Sequence, residues 1–361
     1  MGGGSAYEPE VCGFRLVARA KAAGRLKNTA INQRTVGLLQ DVCNRIPQLE
    51  KGINTNNYVM PNYEDVDAEL QSLNAHARLY LQTLNSAAPD EYEIERCLTT
   101  MEEQYKTARW DLPKDFLSYE AYRRALRRLD FNSSPGYPYL LEAPTNGDWF
   151  KWDGFQWDQQ RELLMWDHVN KLMEGVFKPV LRVFIKPEPH KLSKAQNHRW
   201  RLLIASPLNL QILWQMLFCY QNDLEIEQSY YIPSQQGIVL CGGGHKTYYQ
   251  SWLSMGLDTS IDKSSWDWTA PGWCLFADLD FRERMCNQQL SDDLSKWRRL
   301  AQECYNFMFH RSMLMLSNGM MFEQLFPGIM KSGCVNTIST NSHMQIMMHI
   351  IINNRALLPL E

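Results

Sequence analysis

The feature that most constrains the fold is that the sequence is uninterrupted. Its 361 residues contain no internal repeat, no low-complexity tract and no obvious linker between domains. Helical periodicity of apolar residues covers much of the chain, at 64–85, 91–108, 116–130, 158–175, 208–230, 276–310 and 335–356. Short β-type runs at 180–185 and 201–205, and an Asn-Gly turn within 313–325, add strands. This mixture predicts one continuous α+β body with a helical N-terminal part.

Composition excludes several classes of protein. Hydrophobic residues make up 45% and charged residues 21%, which excludes a disordered tail, a collagen-like repeat and a coiled coil. The formal charge of −3 excludes a uniformly basic nucleic-acid coat but allows a local basic channel. Nine scattered cysteines without a C-x-x-C pair indicate reduced thiols. The apolar stretch at 345–353 is too short to cross a bilayer, so we expect no transmembrane segment.

Two aspartates mark a first candidate site. Asp262 ends a short β-type run, and Asp267 follows five positions later. A carboxylate at the end of a strand points out of the sheet edge into a cleft, and short, hard carboxylates suit Mg²⁺. Spacing alone favours the simpler interpretation, in which both are turn or N-cap aspartates.

A second candidate segment follows Gly328. Gly333 permits a loop conformation that other residues resist. Thr337 and Asn341 are four positions apart and share one face of the following helix, which suits contacts to a sugar or a template backbone. The alternative is an ordinary polar helix N-terminus with Ser332 as its cap.

A third candidate segment is basic. Residues 178–201 contain seven basic residues and only one acid, Glu188. The basic residues are Lys178, Arg182, Lys186, Lys191, Lys194, Arg199 and Arg201. Arg199 and Arg201 alternate on a predicted strand and would point the same way, and guanidinium groups match phosphate oxygens. Flanking prolines and β-branched residues favour anion binding over a solvated basic loop.

The order of these segments resembles the motifs of viral RNA-dependent RNA polymerases. D-x₄-D, then S-G-x-x-x-T-x-x-x-N about seventy residues later, with K-x-E-x-x-K and R-x-R upstream, is similar to motifs A, B and F. The run Ser134, Pro135, Gly136, Tyr137 and Pro138 resembles motif G, the template-entrance loop. The whole set is most similar to the sobemovirus-like (solemovirus-like) replicases of positive-strand RNA viruses.

The resemblance implies a right-hand polymerase fold. We expect 1–110 to be an N-terminal helical extension with part of the fingers, 111–250 to be fingers with motifs G and F, and 251–361 to be a partial palm with motifs A and B. The implied partners are RNA template and product, NTPs and other viral replication proteins. The implied location is the host cytoplasm, in virus-induced replication complexes.

The resemblance also implies roles for individual residues. Asp262 would be the catalytic metal ligand for Mg²⁺, with Mn²⁺ as an alternative ion. Asp267 and Asn341 would read the ribose 2′-hydroxyl, supported by Thr337. Ser332 and Gly333 would form the flexible loop that follows template translocation.

The same comparison implies a phosphate-binding role for the basic segment. The residues that would hold the triphosphate are Lys186, Arg199 and Arg201, with Lys191 and Lys194 as weaker candidates for the same channel.

One departure separates the chain from the family pattern. The family places a Gly-Asp-Asp turn, motif C, after motif B, whereas the only acid after Ser332 is Glu361. The triplet beginning at Ser291 lies between motifs A and B and is expected to open a helix. We therefore expect a chain that ends inside the palm, lacks the thumb and is inactive alone.

Two other functions stay open at this stage. A non-catalytic RNA-binding or scaffold module derived from a polymerase is the main alternative. A reverse transcriptase is disfavoured, because Asp267 and Asn341 suit a 2′-hydroxyl.

Overall fold

Helices dominate the fold, as the periodicity predicts. The computed structural model describes residues 11–22, 24, 33–46 and 57–356. Its helices are α1 (Gln33–Arg45), α2 (Ala68–Thr83), α3 (Glu91–Gln104), α4 (Tyr119–Leu126), α5 (Asn146–Phe150), α6 (Gln159–Met173), α7 (Leu192–Gln196), α8 (Leu208–Glu227), α9 (Gly244–Ser254), α10 (Trp266–Thr269), α11 (Gly272–Arg284), α12 (Asp292–Tyr305) and α13 (Thr337–Arg355). Across the described ranges, no helix combines the length and apolarity that crossing a membrane requires.

Within the described ranges, seven strands form two sheets. They are β1 (Phe14–Arg19), β2 (Tyr58–Val59), β3 (Leu181–Ile185), β4 (His190–Lys191), β5 (Leu202–Ala205), β6 (Met313–Met315) and β7 (Met320–Gln324). The larger sheet has the order β1-β7-β6-β3-β5, and the smaller one pairs β2 with β4. Only β3 and β6 run parallel within the larger sheet, so the fold is α+β, as predicted.

Two local signals produce the elements that they predict. The Asn-Gly turn connects β6 to β7 in an antiparallel hairpin, with Gly319 at φ +88. Ser291 caps α12, since its side chain accepts a hydrogen bond from the backbone N–H of Leu294 at 3.1 Å. The predicted helix opening at this triplet is therefore confirmed.

Helix α8 lies at the centre of the hydrophobic core. Most of its residues are buried, including Trp214 and Phe218. Trp214 stacks on Tyr305 at a ring-centroid distance of 5.5 Å, and Phe218 meets Trp297 edge to face at 5.6 Å. A helix that is apolar nearly all round must be enclosed by other elements, and α4, α6 and α12 pack against it.

A charged network is buried between α8, α11 and α13. Asp278 and Arg282 on α11 form an ion pair with both side chains fully buried, Nε to Oδ2 at 3.1 Å. The ring nitrogens of His343 on α13 lie 2.6 Å from Asp278 Oδ1 and 3.0 Å from Glu225 Oε2 on α8. Arg282 and, in its protonated form, His343 thus lie against two carboxylates, which offsets the cost of taking these charges out of water.

Arg282→Met tests how strongly the network stabilises the fold. The substitution keeps apolar volume but removes the permanently charged partner of buried Asp278 and leaves it only His343, so we expect the free energy of unfolding to fall by about 3–5 kcal/mol. Urea unfolding followed by far-UV circular dichroism measures this. Arg299→Met, at an exposed position on α12, is the matched control and should change stability by less than about 0.5 kcal/mol. Equal losses in both variants would contradict a structural role for the pair.

The network also predicts a pH dependence of stability. Burial lowers the pKa of His343, but Glu225 and Asp278 outweigh burial, and the pKa of the folded state lies above the ordinary value of 6.5. The stabilisation from the charged imidazolium is then fully present below about pH 6.5 and is lost as the pH rises through the folded-state pKa. Unfolding free energies of the wild type and His343→Gln should differ most at low pH and converge as the pH rises. A difference that stays constant from pH 5.5 to 9 would show that His343 does not act through its charge.

Candidate active site

The junction between β5 and α8 anchors the loop that precedes α13. The N–H of Gly333 donates to the carbonyl of Ile204 at 3.0 Å, and Ser206 Oγ donates to the carbonyl of Gly333 at 3.0 Å. A Cβ on Gly333 would lie 2.2 Å from the Ile204 carbonyl oxygen, so only glycine allows this approach. The Ile204 N–H also donates to Ser332 Oγ at 3.3 Å. The loop is therefore bound to the strand edge at this point.

Ser332 is not the cap of α13. The helix begins at Thr337, and Asn336 occupies the cap position. The alternative interpretation of Ser332 as a helix cap is therefore wrong, because the chain makes a further turn between Gly333 and the helix. Ser332 is exposed on this loop.

The segment predicted to be the template entrance meets the same junction. The carbonyl of Pro135 accepts from the N–H of Leu208 at 2.8 Å, at the start of α8. Gly136 has φ +67, and a Cβ there would lie 2.5 Å from the carbonyl oxygen of Ser206. Ser134 and Tyr137 flank this contact in the chain. Segments resembling motifs B, F and G, far apart in sequence, thus converge on one stretch of backbone.

Helix α10 brings Asp267 towards α13. The Trp266 indole N–H donates to Asn341 Oδ1 at 2.9 Å, and the N–H of Met330 donates to the carbonyl of Asp267 at 2.8 Å. Burial raises the pKa of the Asp267 carboxyl, and the positive charge of Arg201 opposes that shift. The Asp267 carboxylate is therefore half-buried and lies within the field of a guanidinium group.

Thr337 contacts its own loop. Its hydroxyl donates to the carbonyl of Cys334 at 2.6 Å, which fixes the first turn of α13. This contact supports the position of Asn341 one turn further along the same face. The predicted role of Thr337 near a sugar stays a prediction.

The basic segment divides into two groups. Lys186 Nζ and Arg201 Nη1 lie 2.8 and 2.5 Å from the carboxylate of Glu188. The hydrogen bond from Lys186 and the charge of Arg201 hold the pKa of Glu188 below its usual range. Arg199 instead donates from Nη2 to Ser265 Oγ at 3.1 Å, next to α10.

The predicted strand placement of Arg199 and Arg201 is wrong. Strand β5 begins at Leu202, so neither arginine lies within the strand, although the Lys186 N–H still donates to the Arg201 carbonyl at 2.9 Å. The two side chains accordingly have different partners. Lys191 lies in β4 and Lys194 in α7, both exposed.

The predicted strand before Asp262 is also absent. Residues 257–262 have no strand assignment, and none of the described strands pairs with them. A β-type run without a hydrogen-bonding partner stays irregular, and the Ile261 side chain is 70% exposed. Lys263, the next residue after Asp262, donates to Gln345 of α13. Asp262 itself is exposed to solvent, while the next residue in the chain is bound to α13.

The part of the chain that the structure describes contains no preformed set of metal ligands. No group of three His, Cys, Asp or Glu side chains there is placed to hold an ion. Asp262 is exposed and brings a single carboxylate. The described residues alone therefore do not fit a site with several protein ligands.

Sequence reasoning missed the contribution of α2. Ser72 Oγ donates to the carbonyl of His198 at 2.8 Å, and His76 Nε2 lies 2.8 Å from the carbonyl of Trp200. The His76 ring also stacks on Trp268 of α10 at 4.8 Å. The spacing of Ser72 and His76 places them on one helix face, but their distant partners have no local signal.

Comparison with solved structures identifies the fold class. A Sicinivirus 3Dpol RNA-dependent RNA polymerase matches with a TM-score of 0.54 at 15% sequence identity, covering 74% of this chain and 53% of that one. This likeness shows a polymerase fold. Residues 70–356 match the sequence profile of the viral RNA-dependent RNA polymerase family, and the chain belongs to that family.

Sequence relatives agree with the family. Protein P1-P2 of pea enation mosaic virus-1 is 30% identical over 318 residues, covering 78% of this chain and 26% of that protein. Replicase polyprotein P2AB of Southern bean mosaic virus is 31% identical over 259 residues, covering 65% and 26%. The RNA-directed RNA polymerase of mushroom bacilliform virus is 29% identical over 250 residues, covering 64% and 58%.

These relatives confirm the resemblance to sobemovirus-like replicases. The chain spans about a quarter of the length of Protein P1-P2 and of Replicase polyprotein P2AB.

Gly333→Ala tests the anchoring of the loop. The added Cβ would clash with the Ile204 carbonyl, so we expect the loop to separate from β5 and the free energy of unfolding to fall by about 1–3 kcal/mol. Thermal unfolding and hydrogen exchange of the Gly333 amide measure the two effects. Gly37→Ala is the matched control, because its Cβ would meet no atom within 4 Å and it lies inside α1. Unchanged protection of the Gly333 amide in the Ala variant would contradict the anchoring role.

Proposed function

We propose that this chain provides the fingers and part of the palm of a viral RNA-directed RNA polymerase, which transfers nucleotides from NTPs onto RNA under the direction of an RNA template. The observation that carries the proposal is the convergence of segments resembling motifs A, B, F and G around β5, α10 and α13 in a chain of this family. Under this proposal, 1–110 is the N-terminal helical extension with part of the fingers, 111–250 the fingers and 251–361 the partial palm.

Recognition of the ribose is assigned to Asp267 and Asn341. The bond from Trp266 leaves the Asn341 amide group free to donate, and the Asp267 carboxylate accepts. One donor and one acceptor satisfy a 2′-hydroxyl, which is itself both donor and acceptor. We assign Ser332 and Gly333 to a loop that contacts the template during translocation, and Ser134, Pro135, Gly136 and Tyr137 to the border of the template entrance.

Phosphate recognition is assigned to Lys186, Arg199 and Arg201, with Lys191 and Lys194 beside them. Glu188 orients Lys186 and Arg201 by ion pairs before any ligand binds, which lowers the entropy lost on binding. Guanidinium groups then present paired donors to phosphate oxygens.

Polymerases of this family generally use divalent metal ions. We assign Asp262 as the ligand that this chain contributes to Mg²⁺, with Mn²⁺ as an alternative ion. Bound Mg²⁺ supplies charge stabilisation at phosphate oxygens, and it takes only one or two carboxylates when phosphates and water complete its shell. Further carboxylates are expected from a Gly-Asp-Asp segment. Its absence from this chain, the absence of the thumb and the inactivity of the chain alone stay predictions.

The proposed partners follow from the reaction. They are the RNA template and product, NTPs and other viral replication proteins, and the proposed place is a replication complex in the host cytoplasm.

Primer extension tests the proposal. A labelled RNA primer–template is incubated with NTPs or dNTPs and Mg²⁺, using this chain and the longest translation product that contains it. We expect background incorporation by this chain, extension by the longer product with preference for NTPs, and a loss of about a thousandfold in its Asp262→Asn variant. An Asp292→Asn variant, changed at the start of α12, is the matched control.

Three results would count against the proposal. Extension that survives Asp262→Asn would remove Asp262 from the reaction, and robust incorporation by this chain would contradict its predicted inactivity. RNA binding without extension, from a reading frame that stops at Glu361, would favour the non-catalytic RNA-binding scaffold.

A further inference from the structure

A cationic cavity lies between α2 and α7. Its volume is about 530 Å³, and its lining residues are Ala75, Arg78, Ser193, Lys194, Asn197 and Arg199. Three of the six are cations and none is an acid. Arg78 lies outside every motif that the sequence suggested, since the region before residue 110 carried none.

These cations lack the neutralising partners that other basic residues of the site have. Among the described residues, Arg78, Lys194 and Arg199 make no ion pair, whereas Lys186 and Arg201 share Glu188. The Nε of Arg199 is buried and has no hydrogen-bond partner in the described structure. Unpaired positive charges in one concavity raise the local concentration of anions.

The helix that carries Arg78 is fixed against the rest of the site. Ser72 and His76 bind the backbone of His198 and Trp200, on either side of Arg199. Burial lowers the pKa of His76, and the charges of Arg199 and Lys194 lower it further. The uncharged imidazole therefore connects α2 to the basic segment without adding to the positive charge.

We propose that Arg78 completes a phosphate-binding cavity with Lys194 and Arg199, whose lining does not include Lys186, Glu188 or Arg201. This inference rests on the proposed polymerase function and deepens it, because it adds a residue of α2 to the groups that hold phosphate. The ligand chemistry is a phosphate with several free oxygens, from either the triphosphate of an NTP or the backbone of single-stranded RNA. Ser193 and Asn197 add neutral polar groups beside the cations.

Equilibrium binding to two probes tests the cavity and separates the two sources. The full chain and its Arg78→Gln variant are titrated with inorganic tripolyphosphate, and separately with a fluorescent single-stranded oligoribonucleotide at several salt concentrations. We expect Arg78→Gln to weaken binding of at least one probe about three- to tenfold. If RNA is the ligand, the slope of log affinity against log salt should fall by about 0.7, the value for one lost phosphate contact on a single strand.

Two further variants act as controls. Arg299→Gln makes the same charge change on the exposed side of α12, outside the cavity, and should leave both affinities and the slope unchanged. Arg78→Lys keeps the charge and should restore most of the salt dependence. Circular dichroism confirms that each variant is folded.

The outcomes distinguish which phosphate ligand the cavity binds. Weaker tripolyphosphate binding alone assigns the cavity to the NTP, weaker RNA binding alone assigns it to the RNA backbone, and weakening of both assigns it to both sources. Equal affinities for Arg78→Gln and Arg299→Gln, or a wild-type chain that binds neither probe, would overturn the proposal. The assay measures binding only, so a failure of polymerisation would be seen separately by primer extension.

Discussion

The close contact of Gly333 with Ile204 is the constraint on which the arrangement of the candidate site depends. Because no side chain intervenes, the backbone of the loop pairs directly with the end of β5. Ser206, two residues further along, then holds the same loop and lies beside Gly136. One short stretch of backbone therefore determines where three sequence segments meet, and each of them depends on small residues for that approach.

The buried charged network provides the second fixed point. It connects α13 to α8 and α11 through contacts of His343 with Glu225 and Asp278. His343 lies two residues after Asn341 in the chain. Apolar packing alone would let α13 slide or rotate among similar positions, whereas a set of matched charges in a dry interior satisfies its partners in one register. The position of Asn341 on α13 is then fixed together with the register of the helix.

Local patterns predicted most of the elements. The helix expected at 208–230 is Leu208–Glu227, and the hairpin around Asn318 formed as expected, because periodicity and turn chemistry act over a few residues. The irregular chain before Asp262 could not be foreseen, since a β-type run becomes a strand only where a partner lies beside it. The place of Arg78 in the cationic cavity could not be predicted either, because only the tertiary structure brings Arg78 next to the basic segment.

The topology of the larger sheet has a consequence for biosynthesis. Strand β1 ends at Arg19, yet its partner β7 begins at Met320. At ribosomal speeds of about 5–20 residues per second, the first strand waits on the order of 15–60 s before its neighbour emerges. During that interval its backbone groups have no strand with which to pair in the finished arrangement. The unpaired edge of β1 can therefore associate with other chains until the β6–β7 hairpin has been translated. Binding of a chaperone to the N-terminal segment during this time would prevent such association.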